Sequence, residues 1–409
     1  MSNSYTQHYA QLLDNLEKKS LRRKLKVSQS ASAPLMTIDG RSMLTFCSND
    51  YLGLANHPKI TEAIADGAQR YGAGSGASHM ISGHNQAHDT LEKALAKTQS
   101  SFIPNVKTLF FGTGYMANMA AITALSTLHN ASGEQMQMSI FSEELNHASL
   151  IDGIRLASKQ NQATIKVYPH QDIASLRKML AEDLNPFKLI VTDAVFSMDG
   201  DIAHVDQLLD AAEEFNALLM IDDAHGFGVL GDQGLGVLNL FNLKANDPRN
   251  ARIIYMGTLG KAAGLSGAFV AGDADLIEWV MQKGRAYIYT TASPPLIAQG
   301  LLTSLELMSD PSHRLALEKN IAYWHSHLQL KKWRLMPSQT AIQPIVIGTN
   351  EDALKVAQQL DQKNIWVPAI RPPTVPEGTA RLRITFSATH TTEQIGQLIE
   401  ALNEIENVF

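Results

Sequence analysis

The sequence holds a single cysteine, Cys47, in 409 residues. One thiol excludes a disulfide framework within the chain and a cysteine-built metal centre. It fits a reducing compartment. Long apolar runs are also missing. No stretch approaches the roughly 20 residues needed to span a bilayer, and the polar N-terminus has no apolar signal core. These absences predict a cytoplasmic protein with no membrane partner. An excess of positive charge is lacking too: 34 Lys and Arg stand against 40 Asp and Glu, a net charge of −6. No Lys/Arg run suggests a nucleic-acid surface. The basic cluster from Lys18 to Lys26 is short and interleaved with leucines, and reads first as an amphipathic helix face.

What is present is a globular composition, 44% hydrophobic and 18% charged, in a chain long enough for two domains or one large domain with an appendage. Residues 1–60 read as an N-terminal helix and a small β segment. Tyr9, Leu12, Leu13, Leu16 and Leu21 recur at helical spacing over the first thirty or so residues. Leu35–Ile38 then turns at Asp39-Gly40 and returns through Met43 to Phe46. Pro58 stands where a helix could start, continuing from Ile60 to Tyr71.

Residues 61–295 read as the large domain. Gly72-Ala-Gly-Ser-Gly-Ala-Ser-His79 is too glycine-rich for regular structure and suits a flexible loop or a backbone that approaches a ligand. A helix, His88–Gln99, follows. Strand-like runs then recur at Thr108–Phe111, Ser139–Ser142, Thr164–Tyr168, Leu189–Ala194, Leu218–Ile221, Ile253–Met256 and Gly267–Ala271. Helical segments alternate with them: Tyr115–Leu128, Leu150–Gln160, Ile173–Leu184 and Val205–Asn216. That alternation predicts a mostly parallel sheet covered on both faces, with ligands at the carboxyl ends of the strands. Residues 296–409 read as a smaller C-terminal α/β domain, with helices Pro311–Leu330, Asp352–Lys363 and Thr392–Ile405 and strands Pro344–Ile347 and Leu382–Phe386.

Chemistry-bearing residues stand just past the strand runs. Thr258-Leu-Gly-Lys261-Ala-Ala-Gly264 delivers a lysine into a glycine-rich bend. If the strand is internal, that amine needs a partner, a lowered pKa or a covalent bond; taken alone, a strand-end lysine is more often a surface residue. Gly112-Thr-Gly-Tyr115-Met-Ala117 opens a helix, whose free N–H groups suit a phosphate. The same string fits the dinucleotide pattern G-x-G-x-x-A, which keeps a nicotinamide-dependent oxidoreductase in view. That reading wants an acid about twenty residues on, and Glu143 and Glu144 lie about thirty on, with Glu134 in a loop. His147 suits a cap, a core position or a ring stacked on a planar cofactor. Ser197 can donate to a phenolate oxygen. In Ile221-Asp222-Asp223-Ala-His225 the two carboxylates face opposite ways along a strand, and each is costly there unless paired. Metal binding by Asp-Asp-x-His is the alternative, but no second ligand cluster accompanies it.

Taken together, Ser48-Asn-Asp-Tyr-Leu-Gly-Leu, Asn146-His-Ala-Ser, Phe196-Ser-Met-Asp-Gly-Asp, Asp222-Asp-Ala-His-Gly, Gly257-Thr-Leu-Gly-Lys and Tyr289-Thr-Thr-Ala-Ser-Pro-Pro resemble the α-oxoamine synthases. These are a branch of the fold-type I enzymes that depend on pyridoxal 5'-phosphate (PLP). The resemblance runs from about residue 20 to the end. It implies an aspartate aminotransferase-like α/β fold, with a large PLP-binding domain over 61–295 and a mostly parallel central sheet. It also implies a PLP-dependent C-acyltransferase and a homodimer with its active site at the interface.

Carried over, the catalytic set is Lys261, bonded covalently to PLP, with Asp222 on the pyridine nitrogen, His147 stacked on the ring and His225 on the phenolic oxygen, which Ser197 would also bind. Thr113, Gly114, Tyr115 and Thr258 would cradle the phosphate, and Thr290 and Thr291 would reach that of the neighbouring subunit. Asn49, Arg371 and Arg22 would bind substrate, the first two through the amino-acid carboxylate. Within the family, Ile370-Arg-Pro-Pro-Thr-Val-Pro-Glu-Gly-Thr-Ala-Arg-Leu-Arg383 most resembles the member that joins L-alanine to a pimeloyl thioester, on CoA or a carrier protein, in biotin biosynthesis. Glycine with acetyl-CoA and serine with a long acyl chain stay open.

Two stretches depart from the family pattern. Ala77-Ser-His-Met-Ile-Ser-Gly83 often reads Gly-Ser-Gly-His-Val-Ser-Gly, and His129 to Met138 is longer than usual, as a surface insertion would be. Arg381 and Arg383 share a strand face and read as surface or interface charges. His79, His84 and His88 read equally as loop and helix-surface histidines or as substrate ligands, and no metal site is assigned.

Overall fold

The computed structural model describes residues 4–409, in two compact units: 50–197 with 201–314, and 4–49 with 198–200 and 315–409.

The first unit is built on a seven-stranded sheet. Across it run Val106–Phe111, Ala268–Asp273, Ile253–Thr258, Ala217–Asp222, Lys188–Asp193, Ser139–Glu143 and Thr164–Tyr168. The last five are mutually parallel, and Ala268–Asp273 is antiparallel to both its neighbours. All seven expected runs are strands of this one sheet. Their Val, Ile, Leu and Phe residues are buried along nearly the whole length of the central strands, as a sheet covered on both faces requires.

One helical layer gathers on Gly114–Leu125, which packs against Ala148–Asn161, Ala274–Lys283 and Arg285–Ile288. Its alanines, Ala117, Ala120, Ala121 and Ala124, are fully buried and join Ile140, Val191 and Ile254 in the core. Another group forms where Pro295–Ser309 packs on Pro58–Tyr71 and Gln86–Gln99. Two glycines set that closeness: a Cβ on Gly67 would lie 2.9 Å from the Leu296 Cα, and one on Gly300 2.8 Å from Ile64. The 128–138 stretch is a small hairpin, Leu128–His129 paired with Gln135–Met136.

The second unit has a three-stranded sheet of Leu35–Ile38, Arg41–Thr45 and Ile365–Trp366, and a four-stranded sheet of Arg334–Leu335, Ile342–Gly348, Ala380–Thr385 and Ala369–Ile370. The Asp39-Gly40 turn forms as expected, with both residues at positive φ. Trp324, Phe46, Phe386 and His390 make its aromatic core, with Phe46 stacked on His390 at 4.6 Å and Trp324 edge-on to Phe386 at 5.3 Å. Emptying the Trp324 site would cost about 3–5 kcal/mol. Residues 198–200 belong here: the Gly200 carbonyl accepts from the Ser338 and Thr340 hydroxyls, and Arg381 donates to Asp199 at 2.8 Å.

Two details differ from expectation. The N-terminal helix spans Ser4–Lys18 only. Ser20 takes a left-handed φ of 54°, and the Leu21 N–H donates back to the Leu16 carbonyl, which ends the helix. The basic cluster beyond it is not helical; Lys24 and Arg22 meet Glu17 locally, and Lys26 meets the sequence-distant Asp361. Arg381 and Arg383 are buried rather than surface charges, 4% and 6% exposed. Among the described residues no helix is long and apolar enough to cross a membrane.

Candidate active site

Lys261 lies in the turn that joins Ile253–Thr258 to its antiparallel neighbour Ala268–Asp273, where Thr258 pairs with Ala268. The turn is closed by its own backbone: Leu259 N–H to Gly267 O at 2.8 Å, Gly264 N–H to Lys261 O at 2.8 Å and Leu265 N–H to Leu259 O at 3.1 Å. Gly264 has a φ of 73°, and a Cβ there would meet the Ala55 nitrogen at 2.5 Å. Only glycine fits. From this pivot the Lys261 Nζ stands 2.7 Å from His225 Nε2, and His225 Nδ1 stands 2.6 Å from the Tyr51 hydroxyl. The imidazole is therefore held at both nitrogens.

Asp222 and Asp223 end the Ala217–Asp222 strand and part as strand geometry demands. Asp222 accepts from the Asn118 amide at 2.6 Å and from the Ala224 N–H at 3.0 Å. Asp223 accepts from the Tyr255 hydroxyl and the Val237 N–H. Burial pushes the Asp223 carboxyl up to about 7 despite those donors. A shared cation would need both aspartates and His225 to converge, and they do not.

His147 caps the helix Ala148–Asn161, with its Nδ1 2.7 Å from the Ser149 hydroxyl. That hydroxyl also accepts from Asn118, so one buried asparagine links His147's partner to Asp222. The His147 N–H donates to Asp193 at 2.7 Å. Burial lowers the His147 pKa; the Asp222 charge works against this and Lys261 reinforces it. Asp193 is raised well above the usual carboxylate range by burial and by Asp222, against the His147 N–H.

Thr113 caps the helix Gly114–Leu125, its hydroxyl accepting from the Met116 N–H at 3.2 Å. This helix start lies beside the sheet, past Phe111, with Thr258 near it: a Cβ on Gly114 would stand 3.8 Å from the Thr258 hydroxyl. Tyr115 is exposed, its hydroxyl bonded to Asp152. Ser197 follows the end of Lys188–Asp193; Thr290 and Thr291 sit in an irregular segment, the latter exposed. Asn49, Arg22 and Arg371 belong to the other unit. There Arg383 donates to the Asn49 amide oxygen at 3.3 Å. Arg22 is exposed beside Glu17. Burial and then Arg23 lower the Arg371 pKa.

The strand order removes the dinucleotide reading. That motif needs the strand after the glycine-rich helix to lie beside the strand before it. Here Ser139–Glu143 is separated from Val106–Phe111 by four strands, and Glu143 is engaged with His170.

An amine, a strand-end carboxylate, two pinned imidazoles and a helix N-terminus form a donor set that suits a phosphorylated, ring-bearing carbonyl cofactor. Residues 41–402 match the aminotransferase class I and II family. An 8-amino-7-oxononanoate synthase from Janthinobacterium sp. (strain Marseille) is 54% identical over 399 residues, 97% of each chain. The chain belongs to this family, among the 8-amino-7-oxononanoate synthases.

Solved structures agree on the fold of this family. A serine palmitoyltransferase variant from S. paucimobilis with bound PLP and myriocin matches with a TM-score of 0.86 at 26% identity, over 99% of both chains. The 8-amino-7-oxononanoate synthase of Francisella tularensis matches with a TM-score of 0.71 at 29% identity, over 90% of this chain and 98% of that one. Within this family member, sequence reasoning missed Asn118, Tyr51, Asp193 and His170. Tyr51 lay inside a quoted motif without a role. Asn118 carried no signal, being one of few polar residues in a largely apolar helix.

Proposed function

We propose that this chain catalyses the decarboxylative condensation of L-alanine with a pimeloyl thioester to give 8-amino-7-oxononanoate, using PLP as a homodimer. The observation that carries this reading is the Lys261–His225–Tyr51 chain beside Asp222, in a chain so similar along its length to 8-amino-7-oxononanoate synthases.

PLP, when bound, supplies an electron sink that makes the Cα proton of the amino acid removable. Lys261 would hold PLP through its side-chain amine, and that amine, when free, would take the Cα proton of alanine and later return one. Asp222 would pair with the pyridine nitrogen and favour its protonated form, and Asn118 keeps Asp222 aimed. His147, held neutral, stacks on the ring. Ser197 and His225 donate to the phenolic oxygen. Thr113, Gly114, Tyr115 and Thr258 hold the phosphate, with Thr290 and Thr291 serving that of the partner subunit. Asn49 and Arg371 hold the alanine carboxylate until it leaves as CO₂, and Arg22 contacts substrate. The exposed stripe of Tyr5, Tyr9, Leu12, Leu13 and Leu16 supports dimerisation, because an apolar helix face is costly in water. A cytoplasmic setting fits the lone cysteine.

The test is spectroscopic and then chemical. Purified protein with PLP should show a visible band near about 420 nm that Lys261→Ala lacks. L-alanine should perturb that band at lower concentration than glycine or L-serine, and pimeloyl thioester should then yield the aminoketone. A serine or glycine preference would move the reading to another α-oxoamine synthase. The higher TM-score to serine palmitoyltransferase keeps that second reading in play. Absence of the band in the PLP-supplied protein would overturn the cofactor assignment.

A further inference from the structure

His79, His84 and His88 come together where the departing loop meets the next helix. One ring nitrogen of each lies within 4.8 Å of the others. His79 and His88 are buried and His84 is exposed. The His79 and His84 Nδ1 atoms face each other at 3.0 Å. Two imidazole nitrogens bound side by side to one cation at about 2.1 Å would be about 3.0–3.4 Å apart.

His88 is prepared in a different way. Its Nε2 stands 2.8 Å from the Ser293 carbonyl, which fixes the proton on Nε2 and leaves the Nδ1 lone pair free of it. That lone pair now accepts the Asn85 N–H at a weak 3.2 Å. A ring N–H held by a backbone carbonyl is the usual support of a metal-bound histidine. Burial lowers the pKa of each ring, that of His79 to about 3 with help from His88 and His84, against Asp89 at His84 and the Ser293 carbonyl at His88.

We infer that His79, His84 and His88 form a binding site for a borderline divalent transition cation of the Zn²⁺ class, with the exposed side of His84 leaving a position open to solvent. Imidazoles alone favour Zn²⁺, Cu²⁺ or Ni²⁺ over the oxygen-seeking Mg²⁺ and Ca²⁺. The scaffold is stiff where it needs to be. His79 begins a single π turn, His79–Gly83, and stacks on Tyr287 at 4.9 Å. His88 lies in the first turn of Gln86–Gln99. Gly83 makes the turn possible, since a Cβ there would meet the Ala77 carbonyl oxygen at 2.1 Å. The site would cross-link this loop to the segment holding Ser293, already joined by Ser75 Oγ to Ser293 O and Ala292 N–H to Ala77 O.

The experiment titrates tag-free, PLP-loaded full-length chain with Zn²⁺ by calorimetry, and with Co²⁺ while recording its ligand-field absorption. Wild type should take up one tight equivalent per chain, with Co²⁺ bands of a low-coordinate imidazole site. His84→Ala, at an exposed position, should weaken that equivalent roughly tenfold or more and erase the bands. The chain has 14 histidines, so scattered surface binding is the rival. Uptake and spectrum unchanged in His84→Ala, or no saturable equivalent in wild type, would overturn the site.

Discussion

His147 and His170 sit past the carboxyl ends of two adjacent parallel strands, Ser139–Glu143 and Thr164–Tyr168, and their chemistry is opposite. His147 is lowered by burial and kept uncharged, with Ser149 on its Nδ1. His170 bridges Glu143 at 2.6 Å and Asp201 at 2.8 Å. Burial works against its charged form, but those two carboxylates outweigh it and lift the ring to about 10. One histidine is arranged to present a neutral ring face, the other to act as a permanent cationic cross-link under the Asp201 turn. The partner set decides the role, and the residue type alone says little.

That contrast can be broken from either side, starting with the amine beside the neutral site. Lys261→Ala should leave no measurable turnover in a coupled assay of CoA release, since it removes both anchor and proton carrier. Asp222→Asn should lower kcat/KM about a thousandfold, on the order of 4 kcal/mol of transition-state stabilisation, and weaken PLP retention. Substitution of His170 by Gln should instead cost about 2 kcal/mol of stability, while the folded variant keeps its alanine dependence. The pH signs differ as well. The His170 contribution is full below about 6.5, the free imidazole value, and is lost as pH rises through about 10. The His147 contribution runs the other way, present above the free value and lost as pH falls below it. Melting temperatures of wild type and His170→Gln should therefore converge toward pH 10.

Smaller effects sharpen the same comparison. Asp223, raised to about 7, favours the folded state most at low pH and loses that contribution as pH climbs through about 7. Asp223→Asn should flatten the stability profile between about pH 4 and 7, measured by urea midpoints, with little change in m-value. Tyr51→Phe should have the mildest effect, about tenfold in kcat, with a tautomer change at His225 visible by imidazole ¹⁵N shifts. An unaltered His225 signal would show that the hydroxyl does not hold the ring.

Much of this was legible from residues alone because it rests on period and on chain-local chemistry. The strand runs are short and largely apolar, and the Asp222-Asp223 split follows from alternation. The rest depends on contacts distant in sequence. Nothing near His170 announces Asp201, Asn118 reaches Asp222 across more than a hundred residues, and Arg381 looks like a surface charge until Asp199 is brought to it. The three histidines looked like loop and helix surface because a π turn is needed to fold His79 back toward His84 and His88. The first helix looked longer because leucine spacing continues past Ser20, where the backbone turns left-handed.

The closed turn around Lys261 has one more consequence. Its base is fastened by two strands and three internal hydrogen bonds, so the amine behaves as a lever on a fixed fulcrum. Its working radius is the length of four methylenes, and the backbone cannot lengthen or shorten that arm. A chemically competent amine set one carbon nearer or farther, as in an ornithine-like or homolysine replacement, would sweep a different arc. It could satisfy the bond to the cofactor or the approach to the substrate carbon, but not both.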